Sequence, residues 1–189
     1  MVKNEDLAVR DNAVSEHSPL SMKPFLAAVV FLFASLAAFA QAPPAPPCPA
    51  VEAKHFDFWL GDWNVFTPDG KLAGTNRIEK LYGCVLHESW TNPRVQGQSF
   101  NVYDADRGLW HQTWVDSTGS LLVIEGALRN GSMVLSDAAL PGKKDAKQVN
   151  EITWTPNADG SVRQHWRASS DGGKTWTTSF DGRYVRAKR

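Results

Sequence analysis

The chain has 189 residues, with 20 basic and 20 acidic side chains. Setting aside residues 1–40, which hold three basic and four acidic side chains, leaves 17 against 16. A domain that close to neutral has no electrostatic reason to seek nucleic acid or acidic lipid. All eight Trp lie between Trp59 and Trp176. An indole is costly to place unless its ring is buried and its N–H paired, so this load predicts a single aromatic-rich domain.

The chain opens on a leader. Residues 1–21 are polar and patternless, and they read as an extension ahead of a start at Met22. Lys23, the apolar run 25–40 and the triplet Ala38-Phe39-Ala40 read as a signal peptide over 22–40, cleaved before Gln41. The alternative is an uncleaved anchor, for which the apolar run is short. Export to the periplasm or medium is therefore expected, with no membrane attachment after cleavage. Residues 41–54 form a spacer, of which QAPPAPPCPA (41–50) is stiff and extended. Cys48 and Cys84 are the only cysteines. One disulfide is the economical expectation in an exported chain; free thiols or a metal pair are the alternatives.

Residues 55–187 are expected to form the folded domain. It starts with the aromatic turn His55-Phe-Asp-Phe-Trp-Leu-Gly-Asp-Trp63. Short β-rich runs then alternate with turn signals about every ten residues. Strands are expected near 62–67, 71–82, 84–91, 97–104, 109–116, 120–128, 132–137, 147–156, 161–169 and 174–186. Asn130-Gly131 signals a two-residue type I′ hairpin. Four turns share one chemistry: Thr67-Pro-Asp-Gly70, Ala105-Asp-Arg-Gly108, Asn157-Ala-Asp-Gly160 and Ser170-Asp-Gly-Gly173. Each suits a type I turn whose Gly is left-handed and forms a bulge.

That turn geometry fixes which side chains share a face. With Ala105 opposite Leu109, Val102 faces Gln112 and Phe100 faces Trp114. With Asn157 opposite Ser161, Trp154 faces Gln164 and Ile152 faces Trp166. With Ser170 opposite Lys174, Ala168 faces Trp176, Trp166 faces Thr178 and Gln164 faces Phe180. The inner face should carry Trp110, Gln112, Trp114 and Asp116, then Val162, Gln164 and Trp166, then Trp176, Phe180 and Tyr184. His87, His111, His165, Arg163 and Arg167 should face out. Residues 120–137 are apolar at both parities and cannot be phased.

The runs FDFWLGDW, GCVLHESW, WHQTWVDSTG, ITWTPNADGSVRQHW and SSDGGKTW resemble, in matching order over about 55–186, a bacterial family of exported domains of unknown function. That family looks related to the lipocalin-like, or calycin, superfamily. The resemblance implies a single antiparallel up-and-down β-barrel of about ten strands and transfers no activity. In that superfamily a Gly-x-Trp opens the first strand and its Trp plugs the barrel floor. An Arg on the last strand pairs with it, here Arg183 or Arg186. Nitrobindin-like relatives hold haem on an inward His. With every strand His on the outward phase, no cofactor is indicated. SSDGGKTW also matches the Asp-box of sialidase-like propellers, and one copy is a hairpin staple.

Glu88, placed by its parity with Trp90, joins Gln112, Asp116 and Gln164 as polar residues set among indoles. Such groups must be paired inside a barrel, either with each other or with a ligand. The candidate binding set is Glu88, Trp90, Phe100, Gln112, Trp114, Asp116, Trp154, Gln164 and Trp166. It suits a small apolar or aromatic molecule. The alternatives are an enzyme using Glu88 and Asp116 as an acid–base pair, or a filled barrel acting through its outer wall as an interaction module.

Overall fold

The computed structural model describes Cys48 and residues 50–188; the extension 1–21, the signal peptide 22–40 and most of the spacer lie outside the described residues. No helix among the described residues is long and apolar enough to cross a membrane. The described chain starts with two 3₁₀ turns, Val51–Lys54 and Asp57–Trp59. Ala53 is buried, so the last spacer residues already belong to the folded unit.

Ten strands follow: β1 Gly61–Phe66, β2 Leu72–Leu81, β3 Val85–Thr91, β4 Gln96–Asp104, β5 Leu109–Asp116, β6 Leu121–Arg129, β7 Ser132–Ser136, β8 Val149–Pro156, β9 Val162–Ser169 and β10 Thr177–Arg186. Each pairs antiparallel with its sequence neighbour. β1 also pairs with β10, setting Trp63 opposite Arg186 and Val65 opposite Tyr184. The sheet is thus a closed up-and-down barrel, as the strand-turn rhythm predicts. Closure leaves no unpaired edge.

The turn chemistry fixes some registers and misplaces others. At Asn157 the expected hairpin forms: Asn157 N–H donates to Ser161 O, and Trp154 and Ile152 stand opposite Gln164 and Trp166. At the β4–β5 turn the expectation fails by one residue. Asp104 accepts the amides of Asp106 and Arg107 on its side chain and that of Gly108 on its carbonyl. The turn therefore starts one residue early, with Asp104 opposite Leu109. Phe100 consequently faces Thr113 and points outward, half exposed. Ser99 and Asn101 take the inner positions.

The last hairpin also departs. The Asp171 carboxylate takes the amides of Lys174 and Thr175, which withdraws them from the ladder. Pairing resumes with Thr177 opposite Ala168, and a register shift between Thr178 and Phe180 puts Phe180 opposite Trp166. Phe180 and Tyr184 keep the inward phase. Trp176 does not: it lies on the outer wall, where Arg167 sits 4.3 Å from its ring centroid.

One end of the barrel is closed by rings. Phe56 stacks on Trp59 at 4.9 Å and meets Trp154 and Trp110 edge-on at 5.2 and 5.6 Å. Trp63 Nε1–H donates to Trp59 O over 2.9 Å. Phe56, Trp59, Trp63, Trp110 and Trp154 are all at most 1% exposed. Arg186 stacks over Trp63 and donates to Leu60 O, whereas Arg183 pairs with Asp159; Arg186 is therefore the last-strand partner of Trp63. Burying one large ring stabilises by roughly 1.5–3 kcal/mol. An exposed cation–π stack adds about 0.5–1 kcal/mol, so ring burial holds this end and Arg186 latches it. The Cys48–Cys84 disulfide, Cα–Cα 5.4 Å, ties the chain entering the plug to the β2–β3 turn.

Candidate functional site

Above the plug the inner wall carries a polar tier. Register places Glu88 between Ile78 and Ser99, and Asn101 beside Gln112. Asn76 Nδ2 donates to Glu88 Oε1 (2.6 Å) and to the Tyr184 hydroxyl (3.1 Å). Ser99 Oγ donates to Glu88 Oε2 (2.5 Å). Asn101 Nδ2 donates to Ser99 Oγ and Leu86 O, and Gln112 Nε2 to Asn101 Oδ1 (2.7 Å). Tyr184 donates its hydroxyl proton to Gln164 Oε1. Gln112 is thus a member of a bonded network. Around Asn101 and Gln112 this tier fills the barrel.

The two carboxyls singled out from sequence sit in opposite environments. Burial pushes Glu88 up to about 7, against the bonds from Ser99 and Asn76 that pull it down. Asp116 is held down to about 2, first by the Thr118 hydroxyl and amide, with a further bond from Trp114 Nε1–H. Asp116 therefore caps the β5–β6 turn. β4 runs between their strands, which puts the two backbones about 10 Å apart. Neither carboxyl bonds the other, and the one hydroxyl that bonds Glu88 among the described residues, that of Ser99, is held in the buried network.

The upper tier differs in kind. Trp90, Trp114, Trp166 and Phe180 face inward on β3, β5, β9 and β10, yet each is only partly buried. Trp114 and Trp166 anchor their N–H groups on Asp116 and on Asn150 Oδ1. The rings lie along the wall: those of Trp90, Trp114 and Phe180 occupy the space a Cβ would need at Gly74, Gly97 and Gly182. A side chain at Gly97 would push Trp114 off the wall. Trp154, in contrast, is wholly buried in the plug and belongs to the floor.

A depression of about 390 Å³ lies near the rim, mostly on the outer face of β3, β4 and β5. Trp90, Gly97 and Asp116 line it from the inner face, and Gln98, Phe100 and Val115 from the outer face. Phe100 thus borders the site from outside. His87 stacks on Phe100 at 4.9 Å, His111 bridges Glu125 and Thr113, and His165 meets Thr178. All three lie on the outer wall. Sequence reasoning missed Asn76, Ser99, Asn101 and Asn150. The misread β4 register hid Ser99 and Asn101, whereas Asn76 shares its parity with the buried Ile78.

Together these features define a ten-stranded antiparallel barrel with one end plugged by aromatics and the other lined by half-buried rings over a polar tier. Neither a scan against protein-family models nor a search of curated proteins finds a match for the chain.

Proposed function

We propose that the protein is an exported, lipocalin-like barrel that binds a small apolar or aromatic molecule in its upper half, among Trp90, Trp114, Trp166 and Phe180. The observation that carries this reading is the contrast between the two ends. Rings at the plug are fully buried, and rings on the same inner wall at the far end are not. Partly exposed indoles gathered on one concave wall offer apolar surface whose burial by a ligand is favourable at roughly 25 cal/mol per Å². Export is supported by the leader and by the Cys48–Cys84 bond, which suits an oxidising compartment. The family resemblance is supported by the motif order and by the Gly61-x-Trp63 opening with Arg186 across from it.

Native mass spectrometry of the protein from its own host tests the reading, paired with titration of neutral aromatic molecules monitored by Trp fluorescence. A co-purified small molecule or a saturable response is expected. A bare mass together with no saturable response to any compound would remove it.

A further inference from the structure

Resting on the reading above, we infer that the bound molecule is an organic cation. It is an aryl- or alkylammonium ion whose apolar body lies against the upper rings and whose ammonium group points toward Glu88.

The charge pattern of the inner wall carries this first. Above the plug, the inward positions of the described strands hold the carboxyls of Glu88 and Asp116 and no Lys, Arg or His. The two inward-phase cations, Lys80 and Arg186, sit at the plugged end and are engaged there, by Asp57 and by Trp63 with Leu60 O. Arg163, Arg167 and the three strand histidines face out. At the rim the Asp137 carboxylate is neutralised by Lys143 and bonded by Asn150. An anionic ligand would meet Glu88 with no counter-charge, whereas a cation would supply the one that is missing.

The second observation is an unspent acceptor. Glu88 is 5% exposed and, among the described residues, accepts bonds only from Asn76 and Ser99, about half of what a carboxylate can take. Beside it Asn76 Oδ1, on a residue 2% exposed, has no hydrogen-bond partner among the described residues. An ammonium group brings three donors and can meet both oxygens. Indole faces attract cations electrostatically, so the same rings serve the apolar body and the charge.

Proton linkage gives a readout that a merely structural Glu88 would not move. Glu88 is partly protonated near neutrality, and the groups facing it are Asn76, Ser99 and Tyr184, with His87 behind it on the outer wall. Tyr184 is raised well above its ordinary value by burial and stays neutral. A bound cation therefore displaces a proton from Glu88 at pH 6.

Isothermal titration calorimetry of the mature protein with 2-(1-naphthyl)ethylamine, 1-ethylnaphthalene and 1-naphthaleneacetate decides the matter. We expect the amine to bind at least tenfold tighter than the hydrocarbon and the acid to bind weakest. Proton release should accompany the amine at pH 6 in buffers of differing ionisation enthalpy. Glu88→Gln should abolish the release and most of the preference, and Asp116→Asn should weaken the amine without removing the release. Equal affinities, or a preference for the acid, overturn the inference and leave the binding reading standing. Failure of all three compounds to bind overturns the inference too, and the native mass spectrum then decides the binding reading separately.

Discussion

The guanidinium carbon of Arg186 lies 3.9 Å from the centroid of the Trp63 ring, joining the last strand to the first over the barrel floor. Gly61 shares the arrangement: its φ of +130° and the Arg186 side chain packed against it leave no place for a Cβ. We predict that Arg186→Ala lowers stability by about 1–2 kcal/mol through the lost stack and the lost bond to Leu60 O. Arg186→Lys should recover only part of this, because an ammonium cannot stack as a plane. Urea midpoints decide it, and an alanine variant as stable as wild type would show that the latch contributes nothing.

Gln112 gives a second prediction. Its amide donates to the buried Asn101 Oδ1. Gln112→Leu should strand that acceptor and cost about 1–3 kcal/mol, seen as a lower denaturant midpoint at unchanged slope. A midpoint equal to or above that of wild type would contradict the bonded network.

A third prediction concerns pH and Glu88. In the unfolded chain this carboxyl ionises near 4.5, and in the folded protein at about 7. Between those values the folded state holds a proton that the unfolded chain has released, so rising pH favours unfolding. Relative to Glu88→Gln, wild type should lose stability as pH rises from about 4.5 to about 7 and change no further above that. The loss is at most on the order of 3 kcal/mol. Parallel stability curves for the two proteins across this window would refute it.

The Cys48–Cys84 bond closes a separation of 36 residues. Loop entropy makes its removal cost about 3–4 kcal/mol in the chain-entropy model. The double Ser variant should therefore have a clearly lower midpoint, and reduction of the wild type should lower it by a similar amount. Intact-mass measurement with and without reductant checks the bond itself. Two alkylatable thiols in the non-reduced exported protein would rule it out.

How far the sequence could be read depended on who takes the turn amides. At Asn157 the backbone closes the hairpin as the Gly spacing requires, and every cross-strand pair follows. At Asp104 and Asp171 a carboxylate claims those amides, moves the start of pairing, and carries Phe100 and Trp176 to the outer wall. Spacing alone does not record that competition. Residues 120–137 resist phasing because both faces are apolar: Leu122, Ile124 and Leu135 point in, and Leu121, Val123 and Val134 point out. The polar tier was half legible. Glu88 and Gln112 were found through their Trp neighbours, whereas Asn76 had no aromatic partner on its own strand to mark its face.

Nine of the ten ladders join strands adjacent in the chain, and only the β1–β10 ladder joins its two ends. The local hairpins close loops far shorter than the span of this seam, which must bring together residues as distant as Trp63 and Arg186, and loop-closure entropy makes it the last contact to be rewarded during folding. The seam is therefore where the barrel should unzip first. Its amides, including that of Ala187 bonded to Asp62 O, would exchange with solvent sooner than those of β4 and β5. Ring burial at the floor, the Arg186 latch and the cystine all cluster at the end of the barrel where that seam begins.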